Sequence, residues 1–72
     1  MKRGPFLSAI GEWCRQNTRS FEVDTVAGKG SHVKVRVGAS ATIVKDGELS
    51  PIYMEIVLKQ LGIPKDAVRG KR

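Results

Sequence analysis

Polar and apolar residues alternate strictly over residues 32–37, with Val33, Val35 and Val37 on one side and His32, Lys34 and Arg36 on the other. A period of two is the signature of a strand with one face buried. Residues 21–27 form the preceding strand. Between the two, Gly28-Lys29-Gly30 has the composition of a three-residue hairpin loop, which needs glycine near its end. Closing that loop sets Ala27 opposite Ser31. Working outward, Val26 meets His32, Asp24 meets Lys34 and Glu22 meets Arg36 on one face. On the other, Thr25, Val23 and Phe21 meet Val33, Val35 and Val37. The register gives one continuous apolar face and two opposite-charge pairs, each pair worth about 0.2–1 kcal/mol. A one-residue slip would set Asp24 against Val35 and lose that sorting.

Upstream, apolar residues fall at Phe6, Leu7, Ile10, Trp13 and Cys14, spacings of three and four that predict an amphipathic helix over residues 6–16. Lys2-Arg3-Gly4-Pro5 is a polar lead-in, and Pro5 suits a place at or before the first turn. Gly11 weakens that helix by up to about 1 kcal/mol relative to alanine, a cost consistent with close approach of a strand. Trp13 and Cys14 lie on the apolar stripe and read as core, the thiol as a small buried hydrophobe. Asn17-Thr18-Arg19-Ser20 has turn composition and ends the helix.

After the hairpin, Gly38-Ala39-Ser40 is a turn, residues 41–45 are a third strand of high β-propensity, and Asp46-Gly47 breaks the chain. Ser50 is an N-cap candidate and Pro51 fits the first helical position. The second helix then buries Met54, Val57, Leu58 and Leu61, with Ile52 and Tyr53 flanking. Gly62 followed by Ile63 supplies a glycine stop with a hydrophobic residue behind it. Two helices on the valine face of a three-stranded antiparallel sheet make an α+β two-layer sandwich, α-β-β-β-α, with the His32 face left open. Residues 5–64 form this single domain, and residues 65–72 read as a frayed, solvated basic tail.

Composition narrows the choice of partner. At 72 residues the chain is near the lower limit at which a core holds alone, and 40% hydrophobic content is normal for a folded domain. Thirteen Lys and Arg against seven Asp and Glu give a net charge of +6 and a pI near 10.0. That balance favours nucleic acid or an acidic protein. The lone Cys14 excludes an internal disulfide and fits a reducing compartment. With no signal peptide or membrane-spanning apolar run, the expectation is a cytoplasmic protein with no membrane partner. One His and one Cys far apart supply no metal-ligand set, and Gly28-Lys29-Gly30-Ser31 lacks the spacing and following helix of a nucleotide-binding loop. No metal or cofactor is expected.

His32 is then the one candidate for catalysis. Imidazole titrates near neutral pH and can take or give a proton in phosphoryl transfer. RNA carries its own nucleophile, the 2′-hydroxyl. Cleavage therefore needs a base beside it, cations for the phosphorane charge, and a groove holding the backbone in line. His32, Lys34, Lys29 and the amides around Gly30 can supply the first two. From these residues alone, an exposed strand histidine with no catalytic task stays open as the alternative.

Two motifs bear on that choice. Lys29-Gly30-Ser31-His32, a basic residue before Gly-Ser-His at the opening of a strand, resembles the motif of HicA toxins, small ribonucleases of bacterial toxin–antitoxin systems. Leu49-Ser50-Pro51 and Leu58-Lys59-Gln60-Leu61-Gly62-Ile63 resemble that family's Leu-x-Pro entry to the last helix and its Leu-Lys-Gln-x-Gly-Ile end. Together with the element order, the resemblance covers most of the chain. It implies a double-stranded-RNA-binding-domain-like fold, metal-independent cleavage of mRNA, and neutralisation by a HicB-type antitoxin. It also implies His32 as the catalytic histidine, with Gly30 a glycine needed beside it. On this reading Lys29, Ser31, Lys34, Arg36 and Lys45 line the RNA backbone, and the antitoxin is acidic.

The chain departs from the family at Val33, where a second aromatic or His often follows the catalytic one, and at Val44-Lys45-Asp46, where Val-Pro-His often precedes the last helix. Those positions bear on substrate preference and on the second proton-transfer group. One alternative is a non-catalytic double-stranded-RNA-binding module, but Pro51-Ile52-Tyr53-Met54-Glu55 offers no Lys-Lys cluster at the start of the last helix. The other is a protein-binding basic domain, which would show no salt-dependent RNA affinity.

Overall fold

The computed structural model describes residues 1–25 and 32–69. Helix α1 spans Arg3–Gln16, β1 Phe21–Asp24, β2 Val33–Val37, β3 Ser40–Val44, α2 Pro51–Gln60 and α3 Asp66–Arg69. The sheet runs β1-β2-β3 with both pairings antiparallel. The expected α-β-β-β-α order is present, with a short third helix added.

Alternation along β2 sorts its residues as the spacing requires. Val33, Val35 and Val37 are buried, Lys34 is half-buried and Arg36 is exposed. The valines join Phe6, Ile10 and Cys14 of α1 and Val57 and Leu58 of α2 in one core, which places both helices on the same face. Pairing of β1 with β2 follows the expected register: Phe21 opposite Val37, Glu22 opposite Arg36, Val23 opposite Val35 and Asp24 opposite Lys34. Among the described residues β1 runs to Asp24, and Thr25 follows as a turn. The expected loop, Gly28-Lys29-Gly30, falls in residues 26–31, outside the described residues.

The turn after β2 is one residue tighter than its composition suggests. Val37 pairs with Ser40, leaving Gly38-Ala39 as the whole turn, and β3 starts correspondingly early. Gly38 has φ +59°, the positive value that a type II′ hairpin turn requires at its first central position.

Helix ends account for the other differences. α1 begins at Arg3 rather than Phe6, because Pro5 sits in the first turn, where no amide donor is required, and Phe6 N–H donates to the Lys2 carbonyl at 3.1 Å. Lys2 in turn forms an antiparallel bridge with Glu48, and Leu49 N–H donates to the Met1 carbonyl at 2.8 Å. The Met1 ammonium donates to the Glu48 carboxylate, and this hydrogen bond, then its charge, holds that carboxyl below its ordinary pKa. Ser50 caps α2 as expected, its Oγ accepting from Tyr53 N–H at 3.1 Å.

Both long helices finish in one motif. Ile63 N–H donates to the Leu58 carbonyl at 2.9 Å over Gly62, and Arg19 N–H donates to the Cys14 carbonyl at 2.8 Å over Thr18. Gly62 takes its φ of +72° freely, whereas β-branched Thr18 is held at +56°. Gly11 serves close packing: a Cβ there would stand 3.1 Å from the Phe21 ring of β1.

The reading of residues 65–72 as a solvated tail is corrected for its first part. Asp66–Arg69 form α3, which packs on α1 with Val68 buried. Ala67 and Val68 give that segment an apolar anchor, and Asp66 suits the positive end of the helix dipole.

Candidate nucleic-acid interface

The face of the sheet opposite the helices is built by the outward half of each strand. Glu22 and Asp24 come from β1, Lys34 and Arg36 from β2, and Ala41 and Ile43 from β3. Register then fixes neighbours. Lys34 lies between Asp24 and Ile43, and Arg36 lies between Glu22 and Ala41. The cationic row is therefore one strand wide, with carboxylates along one side and apolar side chains along the other.

His32 is exposed and immediately precedes β2, two positions from Lys34, a rise of roughly 7 Å along a strand. Val33 pairs with Val44, so continuing that register one step sets His32 level with Lys45. Three of the expected site residues, His32, Lys34 and Arg36, thus follow one another along the outward side, with Lys45 beside the first. Lys29, Gly30 and Ser31 lie outside the described residues.

Lys45 is held in place by Tyr53, which the sequence places only beside the buried stripe of the last helix. The Tyr53 hydroxyl accepts from Lys45 N–H at 3.1 Å and donates to the Ile43 carbonyl at 3.4 Å. The Lys45 ammonium stands 4.9 Å from the centre of the Tyr53 ring, within cation–π range. Ile43, 45% exposed beside Lys34, is the other missed residue. Its signal was the two-residue turn, which places Ala41 and Ile43 outward once Ser40 is paired with Val37.

Among the described residues, no comparable surface is built around Cys14 or Trp13. Cys14 is fully buried, and burial pushes its thiol pKa up, only partly offset by the Arg19 charge. Such a thiol stays protonated at neutral pH and is a poor nucleophile. Trp13 is half-buried against the core, with the Arg19 guanidinium 5.3 Å from its ring centre. Among the described residues no group of three or more His, Cys, Asp or Glu side chains is placed to hold a metal ion, and no helix is long and apolar enough to cross a membrane.

The open face can therefore offer an imidazole, a row of cations and an apolar strip within one narrow surface. Phosphates would be drawn to the row, and sugar or base surfaces could lie on Ala41 and Ile43. No protein-family model, curated protein or solved structure matches the chain.

Proposed function

We propose that the protein is a metal-independent endoribonuclease of the HicA toxin type that cleaves mRNA, with His32 as its general acid or base. The observation that carries this reading is the exposed His32 immediately before β2, on the strand that presents Lys34 and Arg36. The resemblance of Lys29-Gly30-Ser31-His32 to the family motif supports it. In this mechanism the 2′-oxygen bonds to the adjacent phosphorus as the P–O5′ bond breaks, leaving a 2′,3′-cyclic phosphate and a 5′-hydroxyl. His32 either takes the proton of the 2′-hydroxyl or gives one to the departing 5′-oxygen, and Lys34 and Lys45 offset the charge that builds on the phosphorane oxygens. Arg36, further along the strand, holds a neighbouring phosphate.

An acidic antitoxin of the HicB type fits as the restraint. A narrow cationic row favours fast encounter with an acidic surface, and covering His32 would stop cleavage.

Replacing His32 by Ala tests the catalytic role. Because the side chain is exposed, the thermal midpoint is expected to stay at the parent value while RNA cleavage falls by about 10²–10⁴-fold. Cleavage by the parent is expected to persist in EDTA. Equal cleavage by His32→Ala, or loss of cleavage in chelator, overturns the proposal.

A further inference from the structure

Helix α2 exposes apolar side chains where its packing calls for polar ones. Val57 and Leu58 turn inward, and Leu61 caps the same buried side. At 3.6 residues per turn, Ile52 and Ile56 fall on the opposite side, away from the sheet. They are 73% and 50% exposed, so neither contributes much to the core. Beside them lies a groove of about 450 Å³, bounded also by Leu58 and Ile63 and edged by Lys59, Lys65 and Glu55. That volume is within the roughly 300–1,000 Å³ of clefts that seat a ligand.

We infer that this groove is a docking site for an acidic protein segment, one that seats a large apolar side chain against Ile52, Ile56 and Ile63 and sets carboxylates on Lys59 and Lys65. A second copy of the chain fits poorly. α2 has ten residues and is about 15 Å long, too short alone to supply the roughly 800 Å² per partner of a standard stable interface. Each copy would also bring a charge of +6 to the contact. A bilayer fits poorly as well, because the Glu55 carboxylate lies in the same lining as Ile52 and Ile56 and would have to enter the anionic interface with them. The two lysines against one glutamate, on a basic protein, select an acidic partner. The inference is independent of the ribonuclease reading, since the groove lies on the helix layer and His32 on the open side of the sheet.

The test is an amide-resolved NMR titration of the full chain. The probe is a synthetic helical peptide with leucines at i and i+4 and glutamates elsewhere, and its counterpart with lysines in place of glutamates is the control. Saturable shifts confined to the amides around Ile52, Ile56, Lys59, Ile63 and Lys65 are expected with the acidic peptide alone. Ile52→Ser, at an exposed position, and Lys65→Glu are each expected to weaken binding by about tenfold. Shifts centred on Lys34 and Arg36 overturn the inference, as does equal binding of the lysine peptide. It is also overturned by the absence of saturation up to about 1 mM. Concentration-dependent self-association lost in Ile52→Ser would assign the groove to a second copy, and binding to anionic phosphatidylglycerol vesicles in place of the peptide would assign it to a membrane. Either result replaces the proposal.

Discussion

The two sides of β2 place opposite demands on adjacent residues. Inward, Val33, Val35 and Val37 lie against α1 and α2, and burial of each side chain is worth about 1.5–3 kcal/mol. Outward, Lys34 and Arg36 face Asp24 and Glu22 across the strand, contacts worth about 0.2–1 kcal/mol each. Nearly all of the strand's stabilising energy is on one side, while all its charge is on the other. Substitution outward can therefore change binding with little change in stability, and inward substitution does the reverse.

The most severe way to break this division is Val35→Asp. A carboxylate at a position with no solvent exposure has no partner in an apolar core, and a loss of more than about 3 kcal/mol is expected, enough to unfold so small a domain. A cooperative melt near the parent midpoint would show that the inward side is less closed than described. Glu22→Lys acts on the outward side. Facing Arg36 with a like charge should lower stability by about 0.2–1 kcal/mol, and the added cation should steepen the salt dependence of RNA affinity.

Lys34→Ala and Arg36→Ala sharpen the comparison further. Each should leave stability within about 0.5 kcal/mol while reducing the slope of log affinity against log salt by about 0.7 for single-stranded RNA. Parent-like slopes in both would move the interface elsewhere. The smallest effect belongs to the inward side and to pH. In the fold the Cys14 thiol holds its proton above its ordinary pKa of 9.0, while the unfolded chain releases it there. That contribution is complete below pH 9.0 and fades as pH rises from that value toward the raised folded pKa. Cys14→Ala should flatten the alkaline fall of the melting midpoint.

Much of this arrangement was legible because it is periodic or charge-sorted. Val33, Val35 and Val37 announced a buried face, and Glu22 and Asp24 fixed the register against Arg36 and Lys34. Ser50, Pro51 and Gly62 marked the ends of α2 by residue type. What stayed hidden depends on contacts distant in sequence. The bridge of Lys2 to Glu48 joins two polar segments that carry no pattern. Thr18 takes the left-handed position that Gly62 takes in α2, and a β-branched residue gives no hint of that conformation. Ala67 and Val68 are too few to show a period, so α3 emerges only when α1 is there to receive it. At the candidate site, His32, Lys34 and Arg36 could be placed by counting along a strand. Tyr53 could not, because its tie to Lys45 links a helix to a sheet edge.

That tie also bears on how the sheet ends. Val37 and Ser40 close a two-residue turn and exchange both hydrogen bonds, so Thr42 and Val44 are bonded to β2 while the carbonyl of Ile43 and the amide of Lys45 turn outward. Those outward groups are what an incoming strand from another molecule would grip. The Tyr53 hydroxyl engages both at once, accepting from one and donating to the other. A single phenol thus occupies the last two outward groups on this border of the sheet, and Tyr53→Phe would free both for an incoming strand while keeping the ring beneath Lys45.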